Sequence, residues 1–185
     1  NGAEYGWLKS VKELPHPGCG CLLYDGWQFN SMNKRMIRYD EVLLWKAEVL
    51  IQLDRWNEAL IPINKVRERA AHSAGWLINA DGTPVMNYHV EIYKPGENCT
   101  WSKEFAWKAM QWENRLEMAG EGRRFFDLQR WGILEDVMNN YFAVEKTRFS
   151  WLSVARFTAG RDEFFPIPQN QMKWAKGNYT QNPGY

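Results

Sequence analysis

No apolar run in this 185-residue chain approaches the roughly 20 residues that a membrane-spanning helix needs. An excess of one charge is missing too: 23 basic residues face 22 acidic ones, a net charge of +1. Nothing therefore favours nucleic acid or an anionic membrane surface. Cysteine is scarce. Cys19, Cys21 and Cys99 are an odd set that makes no complete disulfide framework, and a bridge from Cys19 or Cys21 to Cys99 is open only in an oxidising compartment. The three histidines, His16, His72 and His89, are scattered, so Cys19-Gly-Cys21 has no second pair at metal spacing. No metal or cofactor is expected. The H-E-x-x-H, G-x-S-x-G and phosphate-cradling patterns are absent, and an enzyme is not expected.

What the chain does have is aromatic residues: 11 Trp, 8 Tyr and 9 Phe. With 45% hydrophobic residues and a mean hydropathy of −0.57, the chain is globular rather than disordered. Its length suits one domain with a sizeable core. The first residue is Asn1 and no signal peptide opens the sequence, which reads as a processed chain or the C-terminal piece of something longer.

Two regions follow from the punctuation. Residues 1–36 are irregular, broken by Pro15, Pro17, Gly18, Gly20 and Gly26, with Trp7, Tyr24, Trp27 and Phe29 interleaved. Residues 37–185 are helical in period. Tyr39, Leu43, Ala47 and Leu50 predict one apolar face. Asp54 is the expected N-cap of the next helix, which carries Ala59, Ile63, Val66 and Ala70, with Pro62 as an awkward interior residue. The short link makes these two helices a hairpin similar to a tetratricopeptide unit, which needs other helices to cover it. Val90, Ile92 and Tyr93 suggest a short strand. Thr100 or Ser102 caps a third helix, with a Glu104–Lys108 pair and an apolar stripe of Phe105, Ala109, Trp112 and Leu116. That helix ends near Ala119, breaks at Gly120 and Gly122, and gives way to a short helix ending at Gly132. Ile133 to Glu145 is a further helix, with Leu134, Val137, Met138 and Tyr141 inward.

The densest stretch lies across that break. Glu113 to Gly132 packs eight charged side chains among apolar ones, and a buried unpaired charge costs several kcal/mol. We therefore expect Arg38, Glu48, Glu113, Arg115, Glu117, Glu121, Arg124, Asp127 and Arg130 to form structural ion pairs and caps. Glu113 and Glu117 share a helix face, as a glycosidase pair might require, but their arginine neighbours lower carboxyl pKa values and suit pairing better than acid catalysis.

This run resembles the signature of the SusD/RagB family of outer-membrane nutrient-binding lipoproteins, departing from it at Asn114, at Met118 and at Gly120. Arg38 to Glu48 resembles the family's R-Y-A-D-V-L-L-x-x-A-E helix, and Ile63 to Ala70 its I-N-x-V-R-x-R-A segment. Phe164-Phe-Pro-Ile-Pro168 and Asn182-Pro-Gly-Tyr185 resemble its closing elements. The resemblance implies a mainly α, SusD-like superhelical fold of tetratricopeptide-like helix pairs crossed by long irregular loops. It implies a surface protein of a Bacteroidetes-type outer membrane, joined to it only by a lipid anchor outside this chain. Such a protein binds an oligosaccharide, or in some members a peptide, for a SusC-like TonB-dependent transporter.

By the same analogy, glycan contacts come from loop aromatics beside polar residues. Tyr24, Asp25, Trp27 and Asn30 are the first candidates, and Trp76, Asn79, Asp81 and Trp101 the second. Two readings stand against this one: a tetratricopeptide-like scaffold that binds only protein, along Arg38 to Ala70, and a glycosidase. The residues do not say which glycan or peptide is bound.

Overall fold

The computed structural model describes residues 12, 20–21, 31–73, 78–85 and 88–185. The fold is mainly α: among the described residues the regular structure is six α-helices and a 3₁₀ turn, with two isolated β-bridges and no strand. Two compact units divide the chain, Asn1–Glu121 and Gly122–Tyr185.

In the first unit α1 (Tyr39–Gln52), α2 (Leu60–His72) and α3 (Lys103–Glu117) each pack against the other two. Leu44, Ile51, Ile63, Val66 and Met110 are its largest fully buried side chains, each worth about 1.5–3 kcal/mol of transfer free energy. The face that α1 buries is rotated from the expected one. Leu44, Ala47, Leu50 and Ile51 lie inside together with Glu41 and Glu48, whereas Tyr39 is 63% exposed. An apolar count misses a face that mixes leucine with glutamate.

Asp54 does not cap α2. It adopts φ +62 in the reversal between the helices, and its carboxylate accepts from Lys103 Nζ at 2.9 Å. Because α2 begins at Leu60, Pro62 falls in the first turn, where an amide has no intrahelical acceptor, and the helix loses nothing to it. Ser102 is the cap of α3, its Oγ accepting from Phe105 N at 3.2 Å. Glu104 accepts from Ser102 Oγ at 2.9 Å instead of pairing with Lys108.

The inner face of α3 also departs from expectation. Ala106, Ala109, Met110, Glu113, Asn114 and Glu117 are buried, whereas Trp112 is 45% exposed and Leu116 61%. Two carboxylates have displaced two large apolar side chains from the interior because arginines of neighbouring elements receive them.

The expected strand at Val90 to Tyr93 does not form. A side chain supplies its pairing instead: Asn64 Oδ1 accepts from Tyr93 N and Asn64 Nδ2 donates to Tyr93 O, both at 2.8 Å. Arg67 Nε donates to Glu91 O one turn further along α2, at 2.7 Å. Cys99 keeps a free thiol and so takes no part in a disulfide.

The second unit holds α4 (Arg124–Arg130), α5 (Leu134–Glu145) and α6 (Gln169–Trp174). Leu128, Leu134 and Phe157 form its core, with Trp131, Ile133, Val137, Met138 and Phe142 packed around them. Tyr141, expected on the inner stripe of α5, is 51% exposed. The carboxamide clamp recurs here twice. Asn139 receives Phe157 N at 2.9 Å and donates to Phe157 O at 3.0 Å. Gln181 does the same to Ile167 at 2.7 and 2.9 Å. Asn182 Nδ2 adds a bond to Phe165 O at 2.6 Å and Tyr185 Oη one to Phe164 O at 3.0 Å, so the two closing sequence elements lie against each other.

Candidate functional site

The charged run of the first unit converges on Arg38, the residue before α1. The last turn of α3 directs Glu113 and Glu117 inward, and the left-handed Gly120 (φ +80) brings Glu121 back towards the same place. Arg38 Nη1 donates to Asp40 at 2.6 Å and to Glu117 at 2.9 Å, while Nη2 and Nε donate to Glu121 at 2.8 and 3.0 Å. Arg69, from the last turn of α2, holds both oxygens of Glu117 at 2.8 and 2.7 Å. Lys12 reaches Glu121 Oε1 at 2.9 Å and the carbonyl of Ala119, just past the end of α3, at 3.2 Å. It also reaches Glu117 O, and Arg35 donates to Lys12 O. A lysine over the last carbonyls of a helix satisfies acceptors that the helix itself leaves open.

A second knot sits one turn back along α3. Arg67 pairs with Glu113 and lies over the Tyr93 ring, 4.2 Å from its centroid, and Tyr93 Oη stands 3.4 Å from the same carboxylate. Tyr93, Trp101 and Phe105 complete it as an aromatic triangle with centroids 5.5–5.8 Å apart.

The two glutamates titrate in opposite directions. For Glu113 burial is the largest influence, and it holds the carboxyl above its ordinary value despite Arg67. The expectation that arginine neighbours lower it is thus overturned by desolvation. For Glu121 burial pushes up, but the bonds from Arg38 and Lys12 outweigh it and the carboxyl ends below its ordinary value. Arg38 shows the converse: burial alone would lower it, and Glu121 and Glu117 hold it above the usual arginine range.

Lys12, Arg35, Arg38, Arg69, Glu117 and Glu121 line a cavity of about 120 Å³. Small-molecule pockets run to roughly 300–1,000 Å³, so this one is too small for an oligosaccharide. Its charges are turned on one another, and what the arrangement does chemically is fasten α1, α2 and α3 together.

The other expected pairing residues fall as follows. Glu48 is buried in α1. Arg115 lies over the exposed Trp112 ring at 5.1 Å. In the second unit Arg124 and Arg130 lie 6.0 and 5.6 Å from the Trp131 ring, and Arg130 pairs with Asp127 at 3.1 Å. Asp40, Asn64, Arg67 and Arg69 were not expected as partners. For the last three the signal was present in the Ile63 to Ala70 motif, which carries two arginines and an asparagine within six positions.

Of the expected ligand residues, Tyr24, Asp25, Trp27, Asn30 and Trp76 lie outside the described residues. Asn79 and Asp81 come together in one tight turn. Asn79 N donates to Thr83 O at 2.7 Å, and Asp81 Oδ1 accepts from Thr83 N and Oγ1 at 2.9 and 2.6 Å. The threonine bonds hold the Asp81 carboxyl below its ordinary value. Trp101 is half-buried in the triangle and its Nε1 donates to Trp56 O at 3.2 Å. The described loop candidates are therefore engaged with their own surroundings.

The SusD family model matches residues 24–185. The chain is also similar to the SusD-like protein P25 of Formosa agariphila, with 33% identity over 115 residues, or 61% of this chain. It spans 18% of that relative's length.

Proposed function

The chain belongs to the SusD family, and from that premise we propose that it serves non-catalytic nutrient binding at a bacterial cell surface. The ligand is an oligosaccharide, and the recipient is a SusC-like TonB-dependent transporter of the outer membrane. The protein is held there by a lipid anchor outside these residues. The family match over residues 24–185 carries this reading. The side-chain geometry supports it: the carboxylates that a glycosidase would need, Glu113 and Glu117, are each bound to a separate arginine. A sugar offers flat C–H faces to aromatic rings and hydroxyls to polar neighbours, which is the composition of Tyr24, Asp25, Trp27 and Asn30.

Intrinsic tryptophan fluorescence of the chain, titrated with neutral and acidic oligosaccharides, tests the proposal. A saturable change that Trp27→Ala removes supports it. A folded sample that responds to no glycan refutes it for this chain.

One observation favours a second reading, the protein-binding scaffold. Val42, Trp45 and Val49 on α1, at 44%, 38% and 55% exposure, form an apolar row along the outside of the helix pair. A peptide ligand that protects α1 amides from exchange, with no glycan response, supports that alternative.

A further inference from the structure

The segment after α5 is the most one-sided in charge. From Lys146 to Arg161 it carries Lys146, Arg148, Arg156 and Arg161 and no aspartate or glutamate. Its path is compact. Phe149 N bonds to Glu145 O, Leu152 N to Phe149 O and Ala155 N to Leu152 O, a succession of tight turns around the 3₁₀ turn Ser150–Leu152. The Asn139 clamp on Phe157 then brings the chain back to the middle of α5, whereas Lys146 sits at that helix's C-cap. Seven residues of helix separate the two fastenings, about 10 Å at 1.5 Å per residue. The segment is thus doubled back along the second half of α5.

This loop sorts its side chains sharply. Leu152 and Phe157 are buried, 8% and 4% exposed, whereas Trp151 is 73% exposed and Val154 90%. Trp151 is steadied by the Phe149 ring, whose centroid is 5.7 Å away. Lys146, Arg148 and Arg156, of the same segment, are exposed as well. The acidic residues at its edges are Glu145 at the end of α5, Glu135 at Ala159 N, Asp162, which faces Arg161 at 3.6 Å, and Glu163.

We propose that Trp151 with Lys146, Arg148 and Arg156 forms a binding site for an anionic oligosaccharide, one whose sugars bear carboxylate or sulfate groups. The ring offers a stacking face and the flanking cations neutralise the acid groups. This proposal rests on the nutrient-binding reading above and specifies its substrate class. A bilayer surface would instead require a broad apolar face in the acyl boundary, and here the exposed large apolar side chains are Trp151 in the turn and Val154 just after it.

The test titrates the chain with oligogalacturonate, a sulfated galactan oligosaccharide and a neutral galactan of equal length, reading tryptophan emission. At least one of the acidic probes is expected to bind at least tenfold tighter than the neutral one. Raising salt from about 0.1 to 1 M, which shortens the screening length from roughly 10 to 3 Å, is expected to cost most of that preference. The double variant Lys146→Gln/Arg156→Gln should lose the preference, and Trp151→Ala the emission change, with the thermal transition and far-UV circular dichroism of both unchanged. Which acidic probe binds separates carboxylate from sulfate. Equal binding of neutral and acidic probes, or acidic binding that survives both variants, overturns the anionic site and leaves the nutrient reading standing. No binding of any probe overturns both. Trp151 emission that shifts only with vesicles containing phosphatidylglycerol overturns the site in favour of a lipid surface.

Discussion

Replacing Arg38 by methionine removes the charge at the centre of the first unit and keeps most of the side-chain volume. The Arg38 side chain is 18% exposed, and its partners Asp40, Glu117 and Glu121 are 17%, 7% and 18% exposed. Breaking a fully buried pair costs about 3–5 kcal/mol, chiefly because a charge is left inside without a partner. Here no carboxylate is wholly abandoned. Glu117 keeps Arg69 at 2.7 Å, Glu121 keeps Lys12 at 2.9 Å, and Asp40 keeps Arg69 at 3.8 Å. The loss is therefore that of several charge-assisted bonds in a partly dry site, about 2–3 kcal/mol. For a chain of this size that lowers the melting temperature by roughly 5–10 °C. Urea unfolding followed by circular dichroism should show a lower midpoint at an unchanged slope. Arg55→Met is the control, because its pair with Glu58 is 54% and 53% exposed and screened by solvent, so that it contributes little. The reasoning fails if the two variants lose the same stability, or if Arg38→Met gains any.

Acid should act on this network through Glu121. Its folded value lies below the ordinary 4.5, so its contribution is present above that value and is lost as the pH falls through the folded one; Glu121→Gln should flatten that loss in urea midpoints taken from pH 6 downward. Glu113 has the opposite sign, since its raised carboxyl favours the folded state below its ordinary value and costs stability as the pH rises through the folded one. Asn64→Ala should cost about 1–3 kcal/mol and speed hydrogen exchange at the Tyr93 amide, whose partner it removes; unchanged exchange there would disprove the clamp. Gly184→Ala should free the C-terminal tail for limited proteolysis, because φ is +82 and a Cβ would lie 2.8 Å from Arg161 Cγ.

The sequence announces helices better than it announces their orientation. The breaks at Gly120 and Gly132 and the Ser102 cap are local chemistry, and they appear where local chemistry places them. The buried faces of α1 and α3 were misread because Glu41, Glu48, Glu113 and Glu117 occupy them. The interior position of Glu113 and Glu117 depends in part on Arg38, Arg67 and Arg69, which lie 46 to 79 residues from them. Periodicity carries no information at that distance. Asp54 was misread for a related reason, since a left-handed aspartate and a capping one look alike until the turn around them is known. The charged knots were visible as a density of arginine and glutamate, although not as particular pairs. For Asn79, Asp81 and Trp101 the same residue types suit a sugar contact and a satisfied turn or core, and composition alone does not separate them.

The carboxamide clamps bear on how such a chain tolerates change. A segment paired along a strand edge is registered at every second residue, so one inserted residue reverses all its side chains. Segments fastened at Tyr93, Phe157 and Ile167 are registered instead by one clamp and a few neighbouring side-chain bonds. Residues added beyond those bonds change only the length of a loop, and doubling that length costs about 0.6 kcal/mol in closure entropy. Loops held in this way can be exchanged between chains of the same helical frame, provided that the clamp and the bonds beside it are kept. Grafting of foreign loops should therefore succeed on this frame where it fails on sheet-based ones.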